Sequence, residues 1–243
     1  MRLIYEDSSL VIIDKPTNFH SHAPENKNIK LNKQWDATFL LRRQLNLDVF
    51  PVHRLDRQTS GLLIFAKNKI VAKELQKAFR EQAVKKTYFA FVRGEPKASE
   101  IIIDRPLKSS SEILLSSVTR VKKLISVEFP FSGQGNKEES LRSRVFSLLE
   151  LRPQTGRFHQ IRRHLAGEST PVMNDKAHGD RKLNLSFQRA TSLQTMYLRA
   201  MCLEFRHPVS GEVISVKGRW SRPWHYLFDQ IGFCALVPRP PDL

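Results

Sequence analysis

Strand-length apolar runs, each closed by a turn signal, recur from one end of the chain to the other, and the fold must pair them into sheet before anything else. Residues 3–5 and 10–13 flank Glu6-Asp7-Ser8-Ser9, which predicts an opening hairpin around a polar turn. Further strands are predicted at 49–52, 61–66, 87–92, 101–103, 113–118, 124–129, 144–151 and 213–216. The run at 87–92 is rich in β-branched and aromatic residues and stops at Arg93-Gly94-Glu95-Pro96. Helical spacing is rarer. Trp35, Phe39 and Leu40 mark a helix over 35–45, and Val71, Leu75, Ala78 and Phe79 mark another over 70–83. Residues 158–165 also read as helix, as do 223–231, where Pro223 sits at the tolerated first position. Strands predominate and helices are interspersed, which predicts an α+β protein.

The polar stretch that follows Asp14-Lys15-Pro16-Thr17-Asn18, to about Lys33, reads as a surface loop. The Gly-, Lys- and Glu-rich piece at 132–139 is too short to link domains and reads as a hairpin loop. One continuous domain over 1–243 is therefore expected, without an appended RNA-binding module, and only 238–243 looks unstructured.

Forty Lys and Arg against 24 Asp and Glu leave a formal charge of +16, so the surface attracts polyanions, with nucleic acid the leading candidate. A basic composition can also serve only solubility or contact with an anionic membrane. Cys202 and Cys234 make no disulfide framework, and a reducing cytoplasm fits them. The first seven residues place Glu6 and Asp7 where a signal peptide needs apolar residues, and no later run is long enough to span a membrane. The expected location is the cytoplasm, and no obligatory protein partner is evident.

In His53-Arg54-Leu55-Asp56-Arg57-Gln58-Thr59-Ser60-Gly61 a carboxylate lies between two guanidinium groups, directly before an apolar strand. Such a carboxylate is expected to stay ionised, and an ionised carboxylate acts as nucleophile or base. Thr59-Ser60-Gly61 is predicted to make a tight, hydrogen-bonded turn. By itself the spacing reads equally as a salt-bridged loop leading into a strand.

What separates these readings is that His53-Arg54-Leu55-Asp56, followed by Thr59-Ser60-Gly61 and an apolar strand, resembles the catalytic signature of the RluA family of pseudouridine synthases. Asp14-Lys15-Pro16, Lys86-Thr87-Tyr88, and the segment from Thr155-Gly156-Arg157-Phe158-His159-Gln160 to Ile161-Arg162-Arg163-His164-Leu165 occur in the family's order, so the resemblance covers nearly the whole chain. With Lys176-Ala177-His178-Gly179-Asp180 and His207-Pro208-Val209-Ser210-Gly211-Glu212, the chain looks most like the TruC branch, which modifies uridine 65 in tRNA.

The resemblance implies the family's mixed, largely antiparallel sheet with flanking helices and loops and a central active-site cleft. It implies that Asp56 is the catalytic aspartate, that Arg54 helps hold the flipped-out nucleotide's place in the RNA, and that Tyr88 is the active-site tyrosine. Arg162 would be the basic partner of Asp56, and Ile161 an apolar wall of the uracil pocket. The chemistry suits these residue types. Isomerising uridine breaks the bond from N1 to the ribose, turns the uracil and joins C5 instead, which asks for a nucleophile or an ionic stabiliser and involves no redox step. No metal and no organic cofactor are expected.

Without the resemblance, Tyr88 and Ile161 read as core residues, and Trp220 and Trp224 as anchors that close the core in place of stacking on bases. His20, His22, His159 and His164 lack the Cys pair or His-Glu-x-x-His spacing of a metal site, and His53 and His159 are expected to be structural hydrogen-bonding groups. Lys85, Lys86, Arg157, Arg163, Arg181 and Lys182 are candidate phosphate contacts, each also readable as a solvated surface cation. The sequence departs from the family in having Asn18 where Gly usually follows Lys-Pro; Asn tolerates the left-handed backbone a turn there needs. It also lacks the usual His before Pro171 and the usual Gly before Asp175. Ribosomal RNA is the alternative substrate to tRNA, and a non-catalytic RNA-binding protein is the alternative in another class.

Overall fold

A computed structural model describes residues 1–22, 33–129 and 144–232. Most of the predicted polar loop, the predicted hairpin loop at 132–139, Cys234 and the tail at 238–243 lie outside the described residues. The opening hairpin forms as predicted, with β1 (Arg2–Glu6) antiparallel to β2 (Leu10–Lys15). Asp7 closes the turn, because its Oδ1 accepts the backbone N–H groups of Ser9 and Leu10 at 2.7 and 2.9 Å.

The chain divides into two compact units, Met1–Thr87 with Arg199–Gly218, and Tyr88–Leu198 with Arg219–Leu243. In the first, β4 (Ser60–Ala66) is the hub. It pairs antiparallel with β2 and with the short β3 (Phe50–Pro51), and parallel with β11 (Leu198–Arg206), which in turn pairs antiparallel with β12 (Val213–Lys217). Every residue of β4 is buried, and this is why it reads as a continuous apolar run and not as an alternating one. The helix η1–α1 (η1 at Lys33–Trp35, α1 at Ala37–Leu45) and α2 (Lys69–Arg80) match the two predicted helices. Asp36 and Asn68 cap α1 and α2 by accepting the N–H of Phe39 and of Val71. Val71, Ala72 and Leu75 of α2 join Leu10, Ile12, Leu62, Ile64 and Leu203 in one apolar core.

The second unit is built on an antiparallel sheet in the order β5 (Lys85–Arg93), β10 (Arg144–Pro153), β9 (Val118–Phe129), β6 (Glu100–Asp104). A separate two-stranded ribbon pairs β7 (Leu107–Lys108) with β8 (Leu114–Leu115). The helices are α3 (Gln160–Gly167), α4 (Arg181–Thr191) and α5 (Arg222–Ile231). Two apolar cores form here. One gathers Phe91, Phe146, Phe187, Tyr197, Trp224 and Phe228, with Trp220 packed against it, so both tryptophans close the core as expected. The other contains Ala90, Leu149, Leu151, Ile161, Leu165 and Val172.

Several elements differ from expectation, among them the short β7, which is not predicted. The strand predicted at 113–118 is broken, because Ser116 and Ser117 separate β8 from β9, and β9 itself is one strand of 12 residues. Neither α4 nor β11 is predicted. In α4 the buried face mixes Leu183 and Phe187 with Asn184 and Thr191, which blurs the apolar period. In β11 the helix-favouring Leu198, Ala200, Met201 and Leu203 surround a buried Arg199, so neither alternation nor β-branching is present to mark it.

Candidate active site

In the first unit the His53–Gly61 motif joins β3 to β4. Its turn lies ahead of the predicted 59–61, over residues 56–59: the Asp56 carbonyl accepts the Thr59 N–H at 3.0 Å. Ser60 and Gly61 belong to β4, where they pair with Arg199 and Ala200 of β11. Ladder pairing with a distant strand takes these two residues out of the turn. Asp56 is half-buried, Leu55 and Thr59 are buried, and Arg54 and Arg57 are exposed.

The segment after β2 holds this loop. Ser21 Oγ accepts the Leu55 N–H at 3.0 Å and donates to the Leu55 carbonyl at 2.9 Å, and Thr17 donates to the Gln58 carbonyl at 2.8 Å. Lys15 is fully buried, and its ammonium donates to the carbonyls of Pro16, Phe19 and Arg57. Burial pushes its pKa down to about 7, against the opposing pull of the Asp56 and Asp14 carboxylates. Arg57 turns its Nε to the Asn18 carbonyl, and Asn18 takes the left-handed backbone expected of it, with φ 66°. Thus a buried lysine at the end of β2 supplies positive charge to Asp56. In the sequence, the signal for Lys15 is a charged residue closing an apolar strand just before a proline.

His53 is structural, as expected. Its Nε2 accepts the Ile64 N–H at 3.1 Å, and its ring stacks on Phe79 with centroids 4.4 Å apart. Burial holds its pKa down to about 3, helped by the charge of Lys86, so the ring is neutral as the acceptor role demands. Behind the motif Arg199, buried, donates to Asp14 at 2.7 Å and to Ser60 Oγ at 3.3 Å. This buried ion pair was not foreseen.

In the second unit α3 carries Ile161 and Arg162. The Gln160 side chain sets its start: Oε1 accepts from Thr155 and from the Arg157 N–H, and Nε2 donates to the Val118 carbonyl and to Thr119. Ile161 is buried in the apolar core against which the half-exposed Tyr88 packs, so these two predicted site residues share one cluster. Arg162 is 3% exposed and makes a bidentate pair with Asp175, Nε to Oδ2 and Nη2 to Oδ1, both 2.7 Å. Burial raises the Asp175 pKa, but the Arg162 hydrogen bond and charge, with the N–H groups of Ala177 and His178, outweigh it and hold the carboxyl below its ordinary value. No local pattern in the sequence marks Asp175 as the partner of Arg162, 13 residues away. Asn174, standing where the family has Gly, adopts φ 62°, so the turn into Asp175 survives.

The candidate phosphate contacts sort themselves. Lys85 pairs with Glu204, Lys86 is buried, and Arg157 and Arg163 donate to the carbonyls of Ser116 and Lys108. Arg181 and Lys182 stand exposed on the first turn of α4. The ring of His164 lies between Thr119 Oγ1 and the Arg105 carbonyl, and His159 faces His178. Among the described residues no group of three or more His, Cys, Asp or Glu side chains is placed to hold a metal ion, and no helix is long and apolar enough to cross a membrane.

A carboxylate on a braced loop, within the field of the buried Lys15 ammonium, has the makings of nucleophilic or electrostatic chemistry. Comparison with known proteins gives this chemistry a family. Residues 9–167 match the family described as RNA pseudouridylate synthase. tRNA pseudouridine synthase C of Yersinia pestis is 33% identical over 249 residues, spanning 98% of this chain and 93% of its own length. The protein of the same name from Haemophilus ducreyi is 34% identical, spanning 95% and 96%. Among solved structures, human RNA pseudouridylate synthase domain containing 4 superposes with a TM-score of 0.71 at 21% identity, covering 95% of this chain and 93% of that one, and so shares the fold. The matched stretch contains the Asp56 motif, Tyr88 and Ile161-Arg162, and with the near full-length identity it makes this chain a member of the RNA pseudouridylate synthase family.

Proposed function

We propose that this protein isomerises uridine to pseudouridine in tRNA, at the position equivalent to uridine 65, and that the Asp56 carboxylate is its reacting group. The observation that carries this reading is the near full-length similarity to proteins named tRNA pseudouridine synthase C, in a chain that keeps the His53–Gly61 motif whole. The target uridine must first leave its stack, which costs a few kcal/mol that protein contacts offset. Arg54, exposed beside Asp56 in the chain, is suited to hold the vacated place. As the bond from N1 to the ribose breaks, Asp56 either forms a bond that is released later or stabilises the separated charge; the uracil turns, C5 bonds to the ribose and gives up its proton, and N1 gains one, so the overall change is an isomerisation. Tyr88 supplies an aromatic face and a hydroxyl for proton transfer, Ile161 an apolar wall, and Arg162, oriented by Asp175, the basic partner assigned to Asp56.

The whole of 1–243 acts as one catalytic domain in the cytoplasm, with RNA as its partner. Purified protein is expected to convert uridine in tRNA transcripts, and Asp56→Ala to abolish conversion while leaving RNA binding within a few fold. Equal inactivity of wild type and variant on every RNA tried would sink the proposal. Pseudouridine mapping of total RNA with and without the gene tests the substrate: loss of a ribosomal RNA site with tRNA unchanged removes the tRNA assignment. Full rescue of a deletion by Asp56→Ala would replace catalysis with RNA binding as the function.

A further inference from the structure

Phe158 is 71% exposed, although a phenylalanine side chain gains by leaving water. It is not loose. Its ring lies on that of His159, with centroids 3.7 Å apart and planes 20° from parallel. His159 sits in the left-handed region at φ 51° as the residue before α3, and its Nδ1 lies 2.9 Å from Nε2 of His178, one nitrogen donating to the other. The two imidazoles meet nearly at right angles, 86°. The backbone N–H of His178 donates in turn to Asp175, the carboxylate that grips Arg162. An exposed aromatic face is therefore braced, through two histidines, against the residues at the start of α3.

The charge around it has one sign. Arg157, Lys176, Arg181 and Lys182 are exposed in the two segments that supply the stack. Of the acidic groups in those segments, Asp175 is bound to Arg162 and Asp180 to Arg93. A flat apolar face amid cations suits a nucleobase, whose ring stacks while its phosphates meet the positive charge.

We infer that the Phe158–His159–His178 stack is a shelf on which an unpaired base of the RNA substrate is stacked. The inference rests on the proposed function for naming RNA as the ligand. It makes Phe158 a positioning residue and leaves the reacting groups elsewhere.

The test is binding, and needs no turnover. A single-stranded oligoadenylate and an abasic oligomer of equal length carry the same phosphates and keep the uracil pocket out of the measurement. Wild type is expected to bind the base-bearing strand about tenfold more tightly than the abasic one. Phe158→Ala should erase that ratio with the abasic affinity unchanged, and Phe158→Tyr should restore it. Since Phe158 is exposed, thermal unfolding of the Ala variant should match wild type. If Phe158→Ala keeps the wild-type ratio, or wild type shows none, the shelf is overturned. Failure of wild type to make pseudouridine would sink the function proposed above and leave this measurement standing.

Discussion

Gly61, the last residue of the catalytic-type motif, has φ +113°, and a Cβ built there would lie 2.0 Å from the Ala200 carbonyl oxygen and 2.7 Å from its nitrogen. Both atoms are backbone of a paired strand, so nothing flexible yields. Gly61→Ala is expected to cost about 3 kcal/mol or more through forbidden backbone and clash combined, seen as a large fall in denaturant midpoint; a midpoint within experimental scatter of wild type would refute this. His53 makes a prediction about acid. Its imidazole takes up a proton near pH 6.5 when unfolded and only near 3 in the fold. Over that window the unfolded state binds more protons, so stability falls as pH drops from 6.5 toward 3. Urea unfolding at pH 7 and pH 5 should show the loss, reduced in His53→Gln, which keeps an acceptor for the Ile64 N–H; an identical pH dependence in both proteins would count against it. At this scale much is legible beforehand. The roles of His53 and Asn18 follow from residue chemistry, whereas the need for glycine at 61 comes from Ala200, which lies 139 positions further along the chain and approaches only on folding.

Among elements, α3 depends on the turn at 173–178 more than on its own propensity. Arg162 and Asp175 are both buried, and each Asp175 oxygen is committed to the guanidinium, with Oδ1 also taking the N–H groups of Ala177 and His178. Replacing Asp175 by Ala leaves a buried guanidinium without this partner, and about 3–5 kcal/mol of stability should be lost. Catalytic turnover should fall as well, because Arg162 would no longer be oriented. Full activity and stability in Asp175→Ala would show that the pair carries neither role. Helices with a clean apolar stripe, such as α2, are readable from their periodicity. α4 and β11 are not, since both bury polar side chains whose partners lie on other elements: Asn184 bonds the N–H of Asn174 and the carbonyl of Asp175, and Arg199 bonds Asp14.

For the whole molecule, the charge of +16 is the dominant long-range property. RNA affinity should fall steeply with salt, on the order of 10³-fold between 50 and 200 mM if six or so phosphates are neutralised. A flat salt response would deny the cations any part in binding. The linear chain already dictates this charge, the alternation of strands and amphipathic helices, and the motif strings that mark the family, because each is a property of neighbouring residues. Which buried cation meets which carboxylate, Lys15 near Asp56, Arg199 on Asp14 and Arg162 on Asp175, is settled only by folding. The members of such a pair lie up to 185 residues apart. No local period encodes their meeting, and a buried ion pair is stable only where packing brings both charges and their remaining hydrogen-bond partners to one place.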